Sequence, residues 1–123
     1  MKIVPKNLVA LAYVADVPTS LAFYELLGFE VGNTHTLEGE NVPVWAALES
    51  GSAALMLAKA SDPVVPEQQA VLFYLYFDDI LATHAALAAK GLPVGELTFP
   101  FYCPKGEFRL TDPDGYCLML THT

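Results

Sequence analysis

The sequence is poor in positive charge. Only 6 lysine and arginine residues stand against 14 acidic residues, for a formal net charge of −8 at pH 7. Proteins that bind nucleic acid neutralise its phosphates with a basic patch, so nucleic acid is excluded as an expected partner. An acidic protein instead attracts cationic ligands over long distances, although acidic surfaces also serve solubility alone.

Long apolar runs are also missing. Hydrophobic residues make up 54% of the 123 residues, but no apolar run approaches the roughly 20 residues that a membrane helix needs. Residues 1–6 lack the apolar region of a signal peptide. We therefore expect a cytoplasmic protein without a membrane partner, and the length predicts a single domain over residues 1–123.

Cysteine and histidine are scarce, with two and three residues respectively. Cys103 and Cys117 are too few for a disulfide framework and form no CxxC motif; we expect Cys103 in a loop, open to exposure. His35, His84 and His122 fall on different elements without HxH or HExxH spacing, and we interpret all three as surface residues. No nucleophilic arrangement is indicated, so the sequence predicts no catalytic residue.

Two apolar and aromatic stretches organise the chain, residues 8–16 and 71–79. Each ends on an aspartate and leads into a helical pattern that a glycine closes, Gly28 in the first case and Gly91 in the second. Glycine in this position favours a left-handed helix cap. The chain therefore uses one strand–helix unit twice.

A fixed offset of 63 residues relates the two halves. It carries Met56 onto Met119 and Trp45 onto Phe108 without a gap. This repeat predicts an α+β fold of two βαβββ modules, at about 7–59 and 71–121, with a linker at 60–69. The predicted strands cover residues 8–14, 29–34, 42–48, 53–58, 71–77, 92–98, 106–111 and 116–121, and the predicted helices run from Asp16 to Gly28 and over 79–90.

Two motifs within this repeat resemble those of a known family. The first is Asp16-x-x-x-Ser20-x-x-Phe23-Tyr24-x-x-Leu27-Gly28-Phe29, and the second is Asp112-Pro113-Asp114-Gly115 followed by Leu120. Together they resemble the vicinal oxygen chelate superfamily, which includes glyoxalase I, extradiol dioxygenases, fosfomycin-resistance enzymes and the bleomycin-resistance proteins. The resemblance implies a curved, cup-shaped mixed sheet with helices on its outer face, a fold that hosts both enzymes and binding proteins.

The resemblance also implies four metal-ligand positions, two in each module. They fall on Val9, Met56, Leu72 and Met119, where the family's enzymes carry His, Gln or Glu. Valine and leucine have no donor atom, and a methionine thioether suits soft ions such as Cu(I). We therefore expect neither a metal nor another cofactor, while the question whether any catalysis occurs stays open.

The alternation of side chains along a strand predicts which residues face a ligand. The face that carries the four apolar positions is rich in Tyr and Met, which suits a flat or aromatic ligand, and we expect it to line a cavity shared by both modules. The aromatic loop at 99–104 is either a lid or a dimer contact. The predicted ligand-binding residues are Val9, Leu11, Tyr13, Trp45, Met56, Leu72, Tyr74, Tyr76, Phe101, Tyr102, Phe108 and Met119, and the pattern leaves open which of Trp45 and Phe108 points inward.

Three functions are compatible with these features. The favoured hypothesis is a metal-free homodimer, similar to the bleomycin-resistance proteins, that sequesters a hydrophobic or aromatic compound; the acidic charge favours a cationic one. The alternative is a metal-dependent lyase, isomerase or dioxygenase of the glyoxalase type with a non-standard site. The third is a structural or regulatory dimer whose cup is filled by its own side chains.

Overall fold

The first half of the chain forms a four-stranded sheet with one helix. The computed structural model describes all 123 residues, which divide into two units, Met1–Val64 and Val65–Thr123. The first unit contains β1 (Ala10–Val14), α1 (Val17–Leu26), β2 (Glu30–Thr36), β3 (Pro43–Ser50) and β4 (Ala53–Lys59). The strand order is β1-β4-β3-β2; β1 and β4 are parallel and the other neighbours are antiparallel.

The second unit repeats this plan with one strand fewer. It contains a short 3₁₀ helix (Pro66–Gln68), β5 (Leu72–Phe77), α2 (Ile80–Ala89), β6 (Phe108–Thr111) and β7 (Cys117–His122). The strand order is β5-β7-β6. As in the first unit, the outer strand before the helix is parallel to the last strand, and the remaining pair is antiparallel.

Both helices begin at an aspartate, as the sequence predicts. The side chain of Asp16 accepts a hydrogen bond from the backbone N–H of Thr19 at 3.0 Å, and Asp79 Oδ1 accepts one from Ala82 N–H at 3.0 Å. Each bond satisfies a backbone donor that has no partner inside the helix. The two caps lie 63 residues apart, so the repeat extends to the atoms that start each helix.

Both helices end at the predicted glycine. Gly28 has φ 98° and Gly91 has φ 83°, a left-handed conformation in which a side chain would be strained. The N–H of Gly28 donates to Glu25 O at 3.1 Å, and the following N–H of Phe29 reaches back to Tyr24 O at 3.1 Å. These are the two bonds of a Schellman motif, so the prediction from the paired glycines is confirmed.

The predicted strand at 92–98 is wrong, because the segment forms no strand. The N–H of Val94 donates to Leu92 O at 2.8 Å, which closes a three-residue turn around Pro93. Proline has no N–H to donate to a ladder. The apolar pattern suggested a strand, but the proline interrupts the extended backbone at its start.

The same segment still follows β6 by two backbone contacts. Gly95 N–H donates to Arg109 O at 2.7 Å, and Thr98 exchanges two hydrogen bonds of 2.9 Å with Glu107. A Cβ on Gly95 would lie 3.0 Å from Arg109 O, and a Cβ on Gly32, 63 residues earlier in β2, would lie 3.4 Å from a β3 carbonyl. The second unit thus keeps the backbone path of the missing strand without its ladder.

The parallel strand pairs obey the 63-residue offset, but the antiparallel pairs do not. Ala10 pairs with Leu55 in the first unit, and Phe73 pairs with Leu118 in the second, so both partners are displaced by 63. In contrast, Met56 pairs with Ala47, whereas Met119 pairs with Arg109, which follows Ala47 by only 62 residues. Strand β6 has therefore slipped by one residue relative to the repeat.

The hairpin loops explain this slip. Strands β3 and β4 are joined by a two-residue turn, because Ser50 pairs directly with Ala53. In β6 and β7 the last pair is Thr111 with Cys117, and residues 112–116 form a longer loop. Asp112 Oδ1 holds this loop by accepting the backbone N–H groups of residues 114 and 116, both at 2.9 Å. Loop length sets hairpin register, and a slip of one residue turns every side chain to the opposite face.

The predicted α+β class is confirmed, with two helices and two mixed sheets. In each sheet the side chains of one face are closed to solvent; Leu57, Leu118 and Leu120 are each 0% exposed. Neither helix has the length and hydropathy of a membrane-spanning helix. The opposite face of each sheet is open, and it carries the residues of the candidate site.

Candidate functional site

The open face of the first sheet carries four of the predicted binding residues. Leu11 pairs with Met56, while Tyr13 and Trp45 pair with the same residue of β4, so their side chains share one face. Leu11 is 40% exposed and Tyr13 is 59% exposed, and Trp45 and Met56 are half-buried. Val9 is half-buried and precedes β1.

The open face of the second sheet carries four more. Leu72, Tyr74 and Tyr76 are 43%, 46% and 60% exposed, and they alternate with half-buried residues along β5. The rings of Tyr74 and Tyr76 stack with centroids 6.3 Å apart and planes 28° apart. Met119 of β7 pairs with Tyr74 and is 7% exposed, so it lies at the base of this face beside the tyrosine.

Phe108 points the other way. The slip of β6 pairs it with Leu120, on the closed face of the sheet, where it is 1% exposed. Its ring lies edge-on against that of His84 in α2, with centroids 4.7 Å apart. The sequence left open whether Trp45 or Phe108 faces the open side. Hairpin register turns the side chain of Phe108 to the closed face, although the residue still borders the concavity described below.

The slip brings two charged residues to the open face instead. Glu107 and Arg109 flank Phe108, and side chains alternate along an extended backbone, so both lie on the same side as Met119, the partner of Arg109. Sequence reasoning missed both residues. The longer loop at 112–116 was the available signal, since a hairpin with a different loop need not keep the register of its repeat.

A concavity of about 350 Å³ lies over this part of the second unit. Drug-sized ligands occupy pockets of roughly 300–1,000 Å³, so its volume suits a compact ligand. In the first unit, a hollow of about 160 Å³ beside Asp16, Glu40 and Lys59 is too small for such a ligand. The larger concavity is lined by Leu72, Tyr74, Gly95, Glu96, Thr98, Tyr102, Glu107, Phe108, Arg109 and Met119.

Tyr102 and Glu107 interact at one side of this concavity. The phenol of Tyr102 donates a hydrogen bond of 3.1 Å to Glu107 Oε1. This bond, and secondly the charge of the carboxylate, raise the pKa of Tyr102 above its ordinary value. The other carboxylate oxygen, Oε2, is buried and has no hydrogen-bond partner.

The loop at 99–104 contains both exposed and buried members. Phe101 is 95% exposed, and its ring meets that of Tyr102 edge-on at 5.3 Å. Cys103, expected to be open to exposure, is only 8% exposed and accepts a hydrogen bond from the hydroxyl of Thr121 at 3.2 Å. That expectation was wrong, because the loop folds back so that the thiol packs against β7.

Two of the histidines have structural partners. His84, expected on the surface, is half-buried: its Nε2 lies 2.9 Å from Gly95 O, and its ring packs on Phe108. His122 Nε2 accepts the backbone N–H of Lys105 at 3.1 Å. The surface interpretation is therefore wrong for His84, which ties α2 to the segment after it, while His35 lies exposed in β2.

The four positions of the family's metal ligands do not fit a divalent metal. Val9 and Leu72 have no donor atom, and Met56 and Met119 offer only soft thioethers. In the structure, no group of three or more His, Cys, Asp or Glu side chains could hold a metal ion. The open faces therefore present apolar and aromatic surface where the family's enzymes carry metal ligands.

Comparison with solved structures shows the same fold in antibiotic-binding proteins. A bleomycin-binding protein complexed with bleomycin matches with a TM-score of 0.74 at 19% identity, covering 97% of this chain and 99% of that one. TnmS3, an antibiotic-binding protein from Streptomyces sp. CB03234, matches with a TM-score of 0.75 at 20% identity, covering 99% and 98%. A bleomycin resistance determinant encoded on the transposon Tn5 matches with a TM-score of 0.75 at 19% identity, covering 97% and 98%.

Sequence comparison identifies the family. A search of the curated proteins finds no match to this sequence. The sequence profile of one superfamily, however, matches residues 7–120, which is nearly the whole chain. The repeated strand–helix units and the antibiotic-binding structural relatives agree with this match. The chain belongs to the Glyoxalase/Bleomycin resistance protein/Dioxygenase superfamily.

Proposed function

We propose that this protein binds a small hydrophobic, aromatic compound and sequesters it without chemical conversion. The observation that carries the proposal is the concavity of about 350 Å³ in the second unit. Leu72 and Met119, at the family's metal-ligand positions, provide apolar surface there, and Tyr74 adds an aromatic face. Such a surface binds by contact area and stacking, and it needs no reactive group.

Two further features support this proposal. The similar structures include proteins that bind bleomycin and other antibiotics. Each unit of the chain carries seven acidic and three basic residues, so the electrostatic field around both open faces favours a positively charged compound. A cationic aromatic antibiotic therefore combines the properties that the protein selects.

The proposal includes a homodimer in the cytoplasm. Several large apolar side chains are exposed, among them Tyr13 at 59%, Tyr76 at 60% and Phe101 at 95%. Exposed apolar patches are typical of interaction sites, and a second copy would cover some of these side chains. Sequestration of a compound that acts inside the cell requires a cytoplasmic protein. Analytical ultracentrifugation is expected to give a dimer mass, and a monomer at micromolar concentration would remove this part of the proposal.

Isothermal titration calorimetry with bleomycin and a panel of cationic and aromatic antibiotics tests the proposed function. We expect at least one compound to bind with a dissociation constant in the micromolar range or below. The Tyr74→Ala variant should weaken that binding about tenfold, which corresponds to about 1.4 kcal/mol, near the upper value for a well-placed aromatic contact.

The matched control is Leu81→Ala, which removes an apolar side chain that is 53% exposed on α2. This change lies outside the concavity and should leave the affinity within about twofold of the wild type. The proposal fails if no compound in the panel binds, or if both variants reduce affinity equally. Recovery of a chemically altered compound after incubation would contradict sequestration without conversion.

A further inference from the structure

The strongest unexplained feature of the second unit is the carboxylate of Glu107. The residue is only 4% exposed, and its Oε2 is buried without any hydrogen-bond partner. A buried polar group without a partner costs about 1–3 kcal/mol, and more when the group is charged. Buried carboxylates in folded proteins are therefore nearly always paired, and an unpaired one needs an explanation.

The neighbouring side chains do not supply the missing partner. Tyr102 donates its single phenolic proton to the other oxygen, Oε1, at 3.1 Å. Arg109 lies two residues away on the same face, but its Nη1 donates to Cys117 Sγ at 3.5 Å. The rest of the lining around Glu107 includes Leu72 and Met119, which have no donor. Glu107 Oε2 is thus a buried hydrogen-bond acceptor without a donor.

We propose that Glu107 Oε2 binds a protonated nitrogen of the ligand, while the ligand's aromatic system lies on Tyr74 and over Met119. This inference rests on the proposed function and assigns the ligand class: a planar aromatic compound with one basic nitrogen at its edge. A charge-assisted hydrogen bond in a site of low dielectric is stronger than a neutral one. The ammonium or amidinium proton would complete the hydrogen bonding of the carboxylate.

Access to Oε2 requires a small rearrangement that the structure permits. Tyr102 is 60% exposed and belongs to the 99–104 loop, so its side chain can swing away from Glu107 at little cost in packing. The hydrogen bond to Oε1 then either persists in a new geometry or is replaced by the ligand. Arg109, which lines the same concavity, repels a cation and so directs the basic nitrogen toward Glu107.

A matched pair of probes and a matched pair of variants test the assignment. Proflavine is protonated at pH 7 and acridine is neutral, yet both share one three-ring skeleton. For the wild-type protein we expect proflavine to bind at least about tenfold more tightly than acridine, the ratio that a charged hydrogen bond supplies. Fluorescence titration measures both affinities.

Glu107→Gln should reduce this ratio to about threefold or less, since the amide removes the charge but keeps the shape. Glu67→Gln makes the same change in net charge on an exposed side chain of the second unit that does not line the concavity. It should leave the ratio within about twofold of the wild-type value. A thermal melt of each variant verifies folding; Glu107→Gln removes a buried unpaired charge, so its melting temperature should equal or exceed that of the wild type.

The possible failures are distinguishable. If wild-type protein binds both probes with equal affinity, or if both Gln variants change the ratio equally, the assignment of Glu107 is wrong and the proposed function stands. If neither probe binds and the antibiotic panel also fails, the proposed function is wrong and this inference falls with it. If an antibiotic from the panel binds but Glu107→Gln does not weaken it, the assignment is again wrong.

Discussion

At the scale of single residues, the structure reveals two polar side chains whose surroundings the sequence did not indicate. Glu107 looked like one of many acidic residues, yet it is only 4% exposed and lines the concavity of the second unit. Tyr102 belongs to a loop predicted to be either a lid or a dimer contact, and its phenol donates a hydrogen bond to that carboxylate. Because of this bond, the pKa of Tyr102 depends on Glu107, so a titration of the tyrosine reports on the interaction.

The titration of Tyr102 is the test at this scale. Its pKa is raised first by the hydrogen bond to Glu107 and then by the carboxylate charge, so Glu107→Gln should lower it toward the ordinary value of 10.0. The interaction that raises this pKa stabilises the fold below pH 10. Its contribution is lost as the pH rises through the pKa of Tyr102 in the folded state. Ultraviolet absorbance of tyrosinate follows the ionisation.

The sequence contains six tyrosines, so the signal must be isolated by difference. Subtracting the titration curve of a Tyr102→Phe variant from that of the parent protein gives the curve of Tyr102 alone. An unchanged Tyr102 curve in Glu107→Gln would mean that the hydrogen bond does not exist in solution.

At the scale of elements, turn chemistry decides more than strand propensity. The apolar pattern at 92–98 predicted a strand, but Pro93 closes a three-residue turn and the ladder does not form. The loop at 112–116 forms the turn between β6 and β7, but its length shifts β6 by one residue relative to the 63-residue repeat. In both cases the apolar pattern could not specify how the strands pair.

Gly95 gives a prediction for the segment that replaces the missing strand. A Cβ at this position would lie 3.0 Å from the backbone oxygen of Arg109 and 3.4 Å from its nitrogen, so Gly95→Ala must push two backbone segments apart. We expect a loss of roughly 1–3 kcal/mol in the free energy of unfolding, as for other overpacked sites. Urea denaturation followed by circular dichroism measures this loss.

Gly32→Ala is the matched control in the first unit. Its added Cβ would lie 3.4 Å from Ala47 O, close to an ordinary contact, and the loss should be clearly smaller. Equal losses for the two variants would indicate that the added methyl group acts through the unfolded chain and not through the close approach to Arg109.

At the scale of the whole molecule, the repeat preserves the sheet plan while the two units differ in chemistry. Met56 and Met119 occupy equivalent places in the two units, but Met56 pairs with Ala47 whereas Met119 pairs with Arg109. The open face of the first unit carries Leu11, Tyr13, Trp45 and Met56, whereas the concavity of the second combines aromatic surface with two acids and one base. This difference makes the second unit the better candidate for selective recognition.

Metal removal provides the test at this scale. Because Val9 and Leu72 have no donor atoms and the methionines offer only soft ones, dialysis against EDTA should change neither the melting temperature nor the antibiotic affinity. Plasma emission spectrometry of the purified protein should find no stoichiometric nickel, zinc, manganese or iron. A stoichiometric metal, or a ligand affinity restored only by adding one, would favour the glyoxalase-type alternative.

Both helices and most of the sheet plan could be predicted from the sequence. Asp16 and Asp79 start the helices, and Gly28 and Gly91 end them, because caps and left-handed glycines depend on interactions within a few residues. The parallel pairing of the strands also repeats at the 63-residue offset. These features depend on residues close in sequence or on the 63-residue repeat, so they can be predicted from the sequence.

The residues of β6 that face the concavity became known only from the folded structure. The 63-residue offset aligned Phe108 with Trp45, but the residue that takes the open face is Glu107, one position earlier. The register of an antiparallel hairpin depends on how its loop folds, and a shift of one residue exchanges the two faces of the strand. No periodicity in the sequence contains that information. The shift places the buried carboxylate of Glu107 where the repeat predicted an aromatic side chain.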